Sequence, residues 1–145
     1  MNHMNHMDHM NRVDDQEHVL QAADDLVAAF AEERLVDYFQ YFQAFAPDAT
    51  FVFHTTERRI ESVAEYRRVW ARWVADDDFR VLKCLSSDRK VQLWYDTAVF
   101  THTVDTEIST SAGTESLHER ETIVFRREAD GSWLAVHEHL SPAAG

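Results

Sequence analysis

A chain of 145 residues, with 45% hydrophobic and 28% charged side chains, is long enough for one domain with one core and too apolar for wholesale disorder. Its formal charge of −12 disfavours nucleic acid and anionic membranes as partners, because both select a basic surface. Three glycines, two prolines and one cysteine exclude a Gly-rich phosphate loop, an intramolecular disulfide and a cysteine zinc site.

Residues 1–13 repeat a Met/Asn/Asp/His pattern with nothing apolar to anchor it, and are expected to form a disordered tail ahead of a single domain over 14–145. Val19, Leu20, Ala23, Leu26, Val27 and Phe30 then recur at helical spacing, which predicts a helix over Asp15–Glu33. A second, shorter helix is expected over Leu35–Phe45, ended by Ala46-Pro47-Asp48 because proline disfavours helical geometry in the residue before it. Thr50–Thr56 alternates as a strand. Ser62-Val63-Ala64-Glu65 reads as a capping box opening a helix over Val63–Ala75. Phe79–Leu85, Lys90–Tyr95 and Thr97–Thr106 read as strands, and Ile108–Glu115 as a polar connection.

The chain closes on two alternating strands, Glu119–Arg127 and Ser132–Leu140, joined across Glu128-Ala129-Asp130-Gly131. A symmetric four-residue loop pairs Phe125 with Leu134, Ile123 with Val136, and Glu121 with Glu138. Two carboxylates on one rung cannot both ionise cheaply, so one should hold its proton toward neutral pH and the pair could supply an acid and a base. His102 shares the parity of Ala98 and Phe100, which places an imidazole inward as a third candidate for proton transfer or as a hydrogen-bonded core histidine. The opposite face of the hairpin carries Trp133, Ala135, His137 and Val124, a mixed patch suited to a homodimer. His137 and His139 could chelate a metal, yet no third ligand is identifiable, so no metal is expected.

The element order is helix, helix, strand, helix, then four or five mostly antiparallel strands: an α+β layout whose one curved sheet is covered by three helices. This order, with Ala46-Pro47-Asp48-Ala49-Thr50-Phe51, Glu61-Ser62-Val63-Ala64-Glu65-Tyr66, Asp96-Thr97-Ala98-Val99 and the closing Asp130-Gly131-Ser132-Trp133, Val136-His137-Glu138-His139 and Ser141, resembles the NTF2-like superfamily in its SnoaL-like branch. The closing run is also similar to the association domain of calmodulin-dependent kinase II. The resemblance implies a cone: a strongly bent sheet wrapped around a pocket. It implies no single reaction. Where the kinase domain has pocket arginines this chain has Ile123 and Leu140, which argues against acidic ligands of that kind, while Tyr41 and Trp73 fall near that domain's pocket aromatics.

Expected ligand-binding residues are therefore Tyr41, Trp70, Trp73, Phe100 and Leu140, beside Glu121, Glu138 and His102 as the chemical candidates. Three functions stay open: a small-molecule-binding protein with an apolar pocket, a cofactor-independent isomerase or dehydratase of the ketosteroid isomerase-like type, and an oligomerisation module without a ligand. No cofactor is expected. Without an apolar run long enough for a membrane span or a signal-peptide pattern, a cytoplasmic location is expected.

Overall fold

The computed structural model describes residues 2–31 and 38–144, with the side chains of 2–11, 38 and 39 left aside. Helices α1 (Asn2–Ala31) and α2 (Tyr38–Gln43) precede strand β1 (Phe45–Phe53) and helix α3 (Val63–Asp77). Four long strands follow: β2 (Arg80–Trp94), β3 (Thr97–Thr110), β4 (Gly113–Arg127) and β5 (Trp133–Pro142). They form one sheet in the order β1-β5-β4-β3-β2, antiparallel except for the parallel β1–β5 pair. The sheet curls around α1 and α3, and the α+β cone is the observed architecture.

Several boundaries differ from expectation. Helix α1 begins at Asn2, so it runs through the segment expected to be a disordered tail. Of the second expected helix, Leu35–Asp37 lie outside the described residues, as do residues 32 and 33 of the first. The second helix ends at Gln43 and not at Phe45, and the first strand begins at Phe45 and not at Thr50, so Pro47 sits inside β1, where the register to β5 slips between Phe45 and Thr50. An edge strand tolerates a residue that cannot donate to the ladder at such an irregularity. The two strands expected over 79–95 are one, bent where Asp88 adopts a left-handed φ of 50° and the pairing with β3 shifts. Ile108–Glu115 is not a free connection: β3 and β4 stay paired down to Thr110 and Gly113.

Helix α3 follows the sequence closely. The Ser62 side chain accepts from the Glu65 amide at 3.1 Å, and Glu65 Oε2 accepts from the Glu61 amide at 3.0 Å. At the other end Asp78, with φ 52°, sends its amide to Val74 O, and Phe79 to Trp73 O. Between these caps the helix lays Tyr66 and Trp70 into the core, where they pack with Tyr41, Phe42, Phe45 and Phe51.

The closing hairpin departs from the expected register in two compensating steps. Its loop spans five residues, so Arg127 pairs with Trp133, not with Ser132. Gly131 takes a left-handed φ of 87°, and the Asp130 carboxylate accepts from both the amide and the hydroxyl of Ser132. That one-residue shift turns Trp133 and Ala135 inward, contrary to the expected outer patch: Trp133 is only 7% exposed and lies under the Arg127 guanidinium. A bulge at Val136 then restores the parity, since Phe125 pairs with Ala135 but Val124 with His137. From there on Glu138 and Leu140 point inward, as expected, but one rung further along. Glu121 therefore pairs with Leu140, and Glu138 with Ile123. The two carboxyls share a face as diagonal neighbours, not as one rung.

Candidate functional site

The inner face of the central strands is apolar at its base, through Ala98, Phe100, Ile123, Phe125 and Ala135, and turns acidic higher up. Glu138 stands on β5 between Phe51 of β1 and Ile123 of β4, with apolar neighbours on both sides. Glu121 stands directly opposite His102 of β3. Glu138 and Glu121 are 3% and 7% exposed. Neither has an arginine or lysine against it in the described ion pairs.

Burial is the dominant effect on both. It pushes Glu121 from its ordinary 4.5 up to about 7, while the hydrogen bond from Glu138 works in the other direction. Glu138 is raised well above its ordinary value by burial and then by the charge of Glu121, and its hydrogen bond to Glu121 adds to the rise. Both carboxyls are thus harder to ionise than free ones, and the two titrate as a pair. His102 is lowered to about 4 by burial first and by Arg89 second, so its ring is neutral at pH 7. Its Nε2 lies 2.6 Å from Glu121 Oε1, and its Nδ1 lies 2.6 Å from the Ser86 hydroxyl. A neutral ring satisfies both contacts when Ser86 donates to Nδ1 and Nε2–H donates to Glu121. His102 thus sets one donor against Glu121.

Glu138 lines a cavity of about 240 Å³, with its Oε2 atom fully buried. Around that space lie Leu26, Val27 and Phe30 of α1, Tyr41 of α2, Tyr66, Trp70 and Trp73 of α3, then Phe79, Cys84, Val104, Thr106 and Ile108 from the sheet side. Glu119, Glu121 and Glu138 supply acidic groups, and Leu140 completes the wall. The Tyr41 and Tyr66 hydroxyls are 3.0 Å apart, and both phenols are raised well above 10.0 by burial first and by the charge of Glu138 second. Both stay protonated at neutral pH and one proton remains free to donate. Burial likewise pushes the Cys84 thiol up to about 12, so it presents a neutral S–H and no thiolate.

Of the residues singled out from sequence, Glu121, Glu138, Tyr41, Trp70, Trp73 and Leu140 border this cavity. His102 does not; it holds Glu121 from behind. Phe100 also stays outside, fully buried in the core with its ring 4.6 Å from that of His102 and the Arg89 guanidinium 5.3 Å from its face. Sequence reasoning passed over Tyr66 and Glu119. Tyr66 precedes Trp70 and Trp73 at helical spacing, and Glu119 precedes Glu121 at strand spacing; those periods were the available signal. Glu119 binds His54 Nε2 through Oε2 at 2.5 Å. On the outer face Thr50 Oγ1 meets His137 Nδ1 at 2.8 Å, and among the described residues no group of three or more His, Cys, Asp or Glu is placed to hold a metal. No helix among them is long and apolar enough to cross a membrane.

A family model described as a SnoaL-like domain matches residues 19–145. No curated protein matches the chain. Among solved structures it is similar to an NTF2-like protein with a cystatin-like fold from Novosphingobium aromaticivorans, at 16% identity and TM-score 0.72, over 98% of this chain and 90% of that one. It is similar to the CaMKII hub of S. rosetta, at 22% identity and TM-score 0.67, over 88% and 95%. A protein from Catenulispora acidiphila in complex with S-DNPA aligns at 16% identity and TM-score 0.69, over 86% and 90%. At these identities the likenesses establish the fold.

Proposed function

The chain belongs to the SnoaL-like domain family, and from that premise we propose that its cavity binds a small, largely apolar molecule whose polar end meets Glu138. The observation that carries this reading is the cavity of about 240 Å³ itself, walled by Phe30, Tyr66, Trp70 and Trp73, with the Glu138 carboxyl set into its wall between apolar strand neighbours. The open volume favours a ligand over a purely oligomerising role, for which Phe and Trp would fill the space. A neighbour of the same fold is in complex with a small molecule, S-DNPA.

Indole is a suitable probe, since a cavity of about 150 Å³ already accepts benzene in another protein. It should give a saturable heat of binding in titration calorimetry, because Trp70 and Trp73 line a space of its size. Leu140→Trp should fill the volume beside Glu121 and abolish that heat, at a stability cost of about 1–3 kcal/mol that leaves the protein folded. Failure of indole to saturate the unmutated protein, or unaltered binding by Leu140→Trp, contradicts the proposal.

A second reading, cofactor-independent proton transfer, draws on the shared proton. Ionised Glu121 is the base, protonated Glu138 the acid, and the Tyr41–Tyr66 pair a donor to negative charge developing on the substrate. An isomerase or dehydratase would use these groups. A homodimer through the outer face stays part of the proposal, with Val99, Val124 and Leu134 in place of Trp133 and Ala135.

A further inference from the structure

A polar seam crosses the inner face of the sheet, with one residue from each of four adjacent strands: Ser86 of β2, His102 of β3, Glu121 of β4 and Glu138 of β5. The Ser86 hydroxyl lies 2.6 Å from His102 Nδ1, and His102 Nε2 lies 2.6 Å from Glu121 Oε1. Glu121 is hydrogen-bonded in turn to Glu138. One end of this seam is sealed and the other is open. The His102 side chain is 0% exposed, whereas Ser86 is half-buried on an edge strand, between the exposed Leu85 and Ser87. Neither Ser86 nor His102 lines the cavity, so the seam reaches the carboxyl pair from behind the cavity wall.

We propose that this seam is the proton route between the buried carboxyl pair and solvent, with Ser86 as its outer end and His102 as a relay that changes tautomer. In uptake, solvent gives a proton to Ser86 Oγ as the original hydroxyl proton passes to His102 Nδ1. The Nε2–H bond breaks and its proton joins Glu121 Oε1. One proton has then left solvent and reached the carboxylate, and the ring is neutral before and after, its hydrogen moved from Nε2 to Nδ1. Release runs in reverse. No imidazolium forms, which suits the surroundings: burial and the Arg89 guanidinium both disfavour a charged ring and outweigh Glu138. Arg89 is itself paired with Asp24 of α1, and the nearby Glu119 is engaged by His54. The route deepens the proton-transfer reading, because a ligand filling the cavity displaces water from that side while the seam keeps its own end at the surface.

Carbon-13 NMR of the Glu121 carboxyl at half-titration, near pH 7, measures its proton exchange, and nitrogen-15 NMR of His102 reads the tautomer. Ser86→Ala removes one half-buried hydroxyl and should slow the exchange about tenfold or more, the scale of a lost proton-transfer partner. Ser86→Thr keeps a hydroxyl and should restore most of the rate. Across the titration the His102 hydrogen should move from Nε2, with the pair ionised, to Nδ1, with the ring neutral throughout. Unchanged exchange in Ser86→Ala, equal slowing in Ser86→Thr, or an Nε2–H tautomer fixed through the titration overturns the relay and leaves the carboxyl pair as described. Two carboxyls titrating near the ordinary value of about 4.3 overturn the relay and the proton-transfer reading together.

Discussion

Raising the pH from about 5.5 to about 8 should destabilise the protein, opposite to the usual behaviour of an acidic chain rich in surface ion pairs. The effect follows from the buried carboxyls. Glu121 sits at about 7 in the folded protein against an ordinary 4.5, and Glu138 is also raised well above its ordinary value. An acid raised by folding contributes stability that is full below its unfolded value and is lost as pH rises through its folded value. His102 works in the other direction: with its folded value near 4 against 6.5, it costs stability as pH falls through that window. Between about 4.5 and 6.5 His102 and Glu121 cancel, which leaves the slope of Glu138. Above about 6.5 His102 is neutral in both states and the two carboxyls act together. His137, lowered by partial burial, offsets a small part of the loss. Urea unfolding at the two pH values measures the difference, and Glu138→Gln should largely flatten it. Equal or greater stability at pH near 8 contradicts the assignment.

Trp70→Ala should cost about 3–5 kcal/mol, the range for removing a large buried aromatic. It is 3% exposed and its ring packs on Phe30, Tyr41, Phe42, Tyr66, Trp73 and Phe79, so it joins all three helices to the residue just ahead of β2. Few of those neighbours can move inward without opening a void elsewhere. Trp73, one turn on and half-buried, touches fewer rings and should cost clearly less when truncated. The two denaturation midpoints compare them directly. Similar losses for both would mean that the aromatic wall, not Trp70, is the unit of stability.

Where the chain marks its own structure, it does so by period and by cap. The stripe from Val19 to Phe30, the Ser62–Glu65 box and the alternation of β3 and β4 each announce an element whose local preference agrees with its packing. Register was not legible in the same way. A five-residue loop and a bulge at Val136 each shift the closing hairpin by one residue, and neither has a composition that distinguishes it from a four-residue turn and a regular strand. Glu121 and Glu138 kept their common face because the two shifts add to an even number. Trp133 and Ala135 lie between them, and so turned inward. Parity predicted the inward side of His102, but only the fold shows that the ring serves Glu121 and stays off the cavity. The His54–Glu119 contact joins residues far apart in the chain, which no periodicity reports.

The central claim is that one proton is held between two buried carboxyls at neutral pH. Carbon-13 NMR titration of the Glu121 and Glu138 side-chain carboxyls reads it directly. One carboxyl should titrate near 7 and the other should remain protonated beyond it, the two curves being coupled. Two independent titrations near the ordinary value of about 4.3 would contradict it.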